Sequence, residues 1–151
     1  MELPVFDLRN LKRYFYTFYA SCLLISITAI GLYILQILHY VYLPFGRPKA
    51  LPFFIIIGVL TFFYGRYRRK MLSVISETPV FEEKVRKYEK LFVKTLYWNG
   101  FSLFITGMYL VTARSQVMLY VLIFQLVFSL LAYPRKQIIA KELREEDILF
   151  I

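Results

Sequence analysis

Asn99, Ser102 and Thr106 recur at intervals of three and four residues, and Gln125 follows in the next apolar run. That spacing stacks an amide and two hydroxyls on one face of a helix. Such groups carry no charge. They offer hydrogen bonds to a neighbouring helix, to an uncharged solute or to a lipid group. A second set is cationic: Arg66, Arg68, Arg69, Lys70, Lys84, Arg86, Lys87 and Lys90 crowd into one polar stretch, and their chemistry is recognition of phosphate or carboxylate. Catalysis has less to draw on. No nucleophile with a base, no carboxylate pair and no ligand constellation can be named, so no catalytic, cofactor-binding or metal-binding residue is assigned.

The same inventory removes whole classes. The single cysteine, Cys22, lies inside the first apolar run, which excludes a disulfide framework, a Cys-x-x-Cys redox pair and a structural zinc cluster. The one histidine, His39, reads as an interfacial side chain near the end of that run. A net charge of +9 would suit nucleic acid, but no nucleic-acid module fits the chain, and basic residues at the ends of apolar runs have a simpler origin in membrane orientation.

The elements that must position these residues follow from composition. Of 151 residues, 59% are apolar and 19% aromatic, against roughly 45–50% apolar in soluble domains. The surplus falls in four runs, each near the roughly 20 residues of a spanning helix, and the spans are expected at about 14–42, 50–67, 95–113 and 117–133. The second run is short at its apolar core, 51–64, but charge favours a crossing. Three basic residues in the head, nine in 66–94 and four in the tail then share one side, with only Arg47, Lys49 and Arg114 opposite. Both termini are therefore expected in the cytoplasm. The first run is too long for a cleavable signal and is read as retained. The expected fold is all-α: a single polytopic membrane domain over 1–151, with four transmembrane helices in a bundle of two antiparallel hairpins. Pro44, Gly46 and Pro48 would turn the first hairpin and a short link around Arg114 the second.

Between the hairpins, 66–94 reads as two helical extensions rather than a linker. Tyr67, Met71, Val74 and Thr78 upstream, and Phe81, Val85, Tyr88, Phe92 and Thr95 downstream, keep one face apolar. Thr78 is expected to N-cap the second helix with Pro79 at its first position, and Glu82 to pair with Arg86 and Glu83 with Lys87. Two arrangements stay open: a hairpin projecting into the cytoplasm, or helices lying on anionic headgroups. The amphipathic tail 135–151 carries Glu142, Glu145, Glu146 and Asp147, which can meet the basic hairpin in exposed contacts of little energy.

No Asp, Glu, Lys or Arg lies in 14–42, 51–64, 95–113 or 117–133, and intramembrane ionisable groups are what mark proton relays and charged-substrate paths. Small four-span multidrug antiporters are similar in size and span count but depend on a membrane-embedded Glu in the first span, which is missing here. The expectation is a non-catalytic integral membrane protein, a small subunit, scaffold or assembly factor. It would dock partners or its own copies through the basic hairpin and acidic tail, on a membrane with anionic headgroups, without nucleic acid and without a cofactor. The alternative is an oligomeric channel or carrier for an uncharged solute or lipid, built on Asn99, Ser102, Thr106 and Gln125.

Overall fold

A computed structural model describes residues 5–35, 50–145 and 148–151, with side chains described from residue 55 in the second of these segments. The turn expected at Pro44–Pro48, His39, Glu146 and Asp147 lie outside the described residues. The described chain is all-helical apart from two short strands. In order it forms β1 (Val5–Phe6), α1 (Arg9–Leu35), α2 (Ala50–Ser76), α3 (Phe81–Ala113), α4 (Gln116–Ser129) running into a 3-10 turn at Leu130–Ala132, α5 (Lys136–Leu143) and β2 (Leu149–Phe150).

α1 starts at Arg9, five residues before the expected span, because the Asp7 carboxylate accepts the Arg9 N–H at 2.8 Å and supplies an N-terminal cap. Its buried residues Leu11, Phe15, Cys22, Ser26 and Ala29 fall at spacings of four, seven, four and three, a single stripe. α2 runs without a break from 50 to 76 and α3 from 81 to 113, so each is one continuous helix joined by the turn at 77–80. The cap at that turn differs from expectation. Thr78 closes α2, its hydroxyl donating to the Val74 carbonyl at 3.1 Å, while α3 begins after an extended Val80 and has no side-chain cap. Pro79 accounts for the end of α2, since the residue before a proline is driven out of the helical region. The inward face of α2 is also rotated by one position. Ile75 is fully buried, while Val74 stands 46% exposed.

Among the described residues α3 and α4 pair as expected, but α1 and α2 are not principal partners. α1 packs chiefly along α3, and α4 packs on both; α2 packs on α3 and α5. Two cores result. At the end where the termini meet, here the base, Phe6, Leu8, Leu11, Ile75, Tyr88, Leu91, Ile139 and Leu143 form one cluster. At the distal end Cys22, Ala29, Leu103, Leu110, Val111, Met118 and Leu122 form the other. Gly107 permits the distal packing: a Cβ there would lie 3.3 Å from the Ala29 Cβ.

The tail is a folded part of the base. Tyr133 is extended ahead of Pro134, which has no N–H to continue a helix, and α5 leaves the preceding helix at 71°. β2 then pairs in parallel with β1, Val5 opposite Leu149 and Phe6 opposite Phe150. Leu8 N–H donates to the Ile151 carbonyl at 3.0 Å and Ile151 N–H to the Phe6 carbonyl at 3.1 Å.

By length and composition one described helix can cross a membrane. α1 has a window of mean hydropathy 2.0 of which 17% is buried, and Gln116–Ala132 joined to α5 qualifies as a second if that bent pair is one span. The apolar exterior is broader than those helices, with Ile55, Ile56, Phe62 and Phe63 of α2 and Phe124, Val127 and Phe128 of α4 all exposed.

Candidate functional site

The basic hairpin and the acidic tail meet, and they meet in a partly buried network. On α3, Lys84 and Tyr88 are one turn apart and face α5 together. The Lys84 ammonium, in a side chain only 6% exposed, pairs with the Glu145 carboxylate at 2.5 Å and donates to the Leu143 carbonyl at 3.4 Å. Leu143 ends α5, where carbonyls lack intrahelical partners and the helix dipole is negative, so a cation is well placed there. Glu142 uses both oxygens: Oε1 accepts from Arg68 of α2 at 2.5 Å and Oε2 from the Tyr88 hydroxyl at 2.7 Å. Three helices are joined through that one carboxylate. Burial, followed by the Glu142 charge, raises the Tyr88 phenol well above its ordinary range, so it remains a donor. The expectation of exposed, weak contacts for the tail gives way to an internal lock.

The remaining basic residues divide accordingly. Lys87 pairs with Glu83 at 2.8 Å, one turn away on α3, and this pairing holds Glu83 below the usual carboxylate range through the Lys87 hydrogen bond and charge. Arg66 lies over the Phe62 ring at 5.5 Å, and Arg69 reaches the Gly65 carbonyl at 3.5 Å. Arg66, Arg69 and Lys70 on α2, with Arg86 and Lys90 on α3, stay exposed. Of the eight basic positions singled out from the sequence, Arg68 and Lys84 therefore work inside the fold.

Toward the distal end the polar seam is only partly assembled. Gln125 of α4 donates through Nε2 to the Ser102 hydroxyl of α3 at 3.3 Å, and its Oε1 is buried with no donor among the described residues. Thr106, fully buried, donates to the Ser102 carbonyl of its own helix at 2.9 Å. Asn99 is half-buried and outside the Ser102–Gln125 contact. Thr95 instead joins α2, accepting from the Tyr64 hydroxyl at 3.0 Å beside a stacked Tyr64–Trp98 pair. On α2 the glycines face open space: a Cβ at Gly58 or Gly65 would have no neighbour within 4 Å.

Tyr88, Glu142, Glu145 and the Leu143 carbonyl were not among the expected site residues. The available signal was spacing, Lys84 with Tyr88 at four and Glu142 with Glu145 at three, each putting two polar groups on one helical face. Among the described residues, no three His, Cys, Asp or Glu side chains converge on a point where a metal could sit. Comparison with protein-family models, with curated proteins and with solved structures returns no match.

Proposed function

We propose that the protein is a non-catalytic four-span membrane protein with both termini cytoplasmic, acting as a small subunit or assembly factor whose docking surface is the basic outer face of the hairpin. One observation carries the reading. Glu142 and Glu145 are engaged with Arg68 and Lys84 inside the base, while Arg66, Arg69, Lys70, Arg86 and Lys90 remain exposed. The basic surface suits an acidic partner segment or anionic headgroups beneath the bilayer. The exposed aromatic and aliphatic residues of α1, α2 and α4 suit hydrocarbon contact, with α2, α3 and the α4 run taken as spans two to four.

The test is affinity purification of the full chain in mild detergent, beside a variant with Arg66, Arg69, Lys70, Arg86 and Lys90 changed to Gln. A stoichiometric partner held by the wild type and lost by the variant is expected. Recovery of the wild type alone, as a monomer, in several gentle detergents would sink the reading.

The channel or carrier alternative draws on the orphaned Gln125 Oε1. Thr106 bonds its own helix and Ser102 bonds Gln125 directly, a pattern that favours helix packing over a polar path. Solute flux into proteoliposomes that Gln125→Leu abolishes, in a variant that still folds, would reverse that preference.

A further inference from the structure

A groove between α1 and α3 runs from Asn10 and Arg13 to Ile25 and Phe104 and encloses about 770 Å³. That lies in the range of ligand sites, roughly 300–1,000 Å³. Along α1 it covers some fifteen residues, about 22 Å at 1.5 Å per residue. The space exists because Thr17 and Ser21 of α1 and Gly100 of α3 are small, with Phe18 forming the floor against Gly100. Both hydroxyls are turned into their own helix: Thr17 donates to the Arg13 carbonyl at 3.0 Å and Ser21 to the Thr17 carbonyl at 2.9 Å. Most of the wall therefore presents hydrocarbon and ring surface. Charge is confined to one end, where the Arg13 side chain is exposed and pairs with no carboxylate among the described residues.

We infer that this groove binds one anionic phospholipid of the leaflet facing the base, an acyl chain lying along α1 and α3 and the headgroup phosphate on Arg13 and Asn10. A guanidinium matches phosphate in charge and in its fork of donors, and a wall whose Thr17 and Ser21 hydroxyls are turned into their own helix suits an acyl chain rather than a sugar. Tyr14, 49% exposed, and Tyr97, 75% exposed, flank the charged end, and amphipathic rings of this kind favour the headgroup level. The inference rests on the membrane-spanning reading of α1.

The experiment titrates the delipidated, detergent-solubilised full chain with dioleoyl phosphatidylglycerol, dioleoyl phosphatidylcholine or oleate, and reads bound lipid by native mass spectrometry. Phosphatidylglycerol is expected to bind once per chain with about a five- to tenfold preference over phosphatidylcholine. Arg13→Gln should remove that preference, and Ser21→Phe, which fills the groove from an exposed position, should weaken both phospholipids. Equal binding of the two phospholipids by the wild type, or a preference unchanged in Arg13→Gln, overturns the inference. Displacement of phosphatidylglycerol by oleate at equal or lower concentration overturns the phospholipid assignment. Carbonate extraction of native membranes separates the two failures: a chain that stays in the membrane but shows no headgroup preference fails here alone, whereas a released chain fails the spanning reading as well.

Discussion

Glu142 holds a guanidinium on one carboxylate oxygen and a phenol on the other, so its replacement strands two donors at once. Glu142→Leu is expected to lower stability by about 1–3 kcal/mol, the cost of leaving a buried donor unsatisfied. Adding Tyr88→Phe should return part of that loss, because removing both partners of a buried bond costs less than removing one. Thermal melting of the single and double variants measures the coupling. Glu89 lies on α3, next to Tyr88. Burial, and then the nearby Asp7, raise its carboxyl above the ordinary range, so the folded state holds that proton more tightly than the unfolded chain does. The associated stability is fully present below the unfolded value and is lost as pH rises through the folded one. Glu89→Gln should thus melt higher than the wild type at pH 7, with a gap that closes as pH falls to about 4, near the unperturbed glutamate value.

At the scale of helices, close approach and open space make opposite demands on glycine. Gly107 faces Ala29 of α1 across the distal core; Gly107→Val should cost about 1–3 kcal/mol by overpacking. Gly58→Ala should be neutral or gain up to about 1 kcal/mol from helix propensity, since no neighbour stands near its Cβ. Melting curves of the pair test whether α1 and α3 form the central contact. The two long helices were legible in the sequence, since apolar spacing from Phe81 through Phe92 continues into the run after Thr95 with no breaker. The rotation of α2 from Val74 to Ile75 was not, because each lies on an apolar stripe and only the position of α5 and the N-terminal segment decides which is covered. Thr78 and Pro79 marked the turn correctly but not its geometry, since Thr78 closes α2 and α3 starts only after Val80.

For the molecule as a whole, the side assignment is the statement most open to test. In a Cys22→Ala background, a cysteine at Glu77, on the exposed hairpin turn, and one at Gln116, at the exposed start of α4, are expected to report opposite sides. An impermeant thiol reagent applied to intact cells should label the Gln116 position and not the Glu77 position. The reverse pattern would invert the proposed topology and remove the proposed docking surface. The internal lock was invisible at this scale for a plain reason: Arg68 and Glu142 are 74 residues apart, and no local pattern says that a tail will fold under a hairpin. Opposite charge on the same side was readable; burial of the resulting pairs depends on the bend at Pro134.

The pairing of β1 with β2 joins segments separated by almost the whole described chain. A ribosome therefore delivers one half of that clasp long before the other, and Phe6, Leu8 and Ile75 have no finished shelter in between. Nascent chains stalled after α4 should be far more sensitive to added protease than released ones. Such a delay would let quality control distinguish a fully synthesised protein from an arrested one by a single exposed apolar surface.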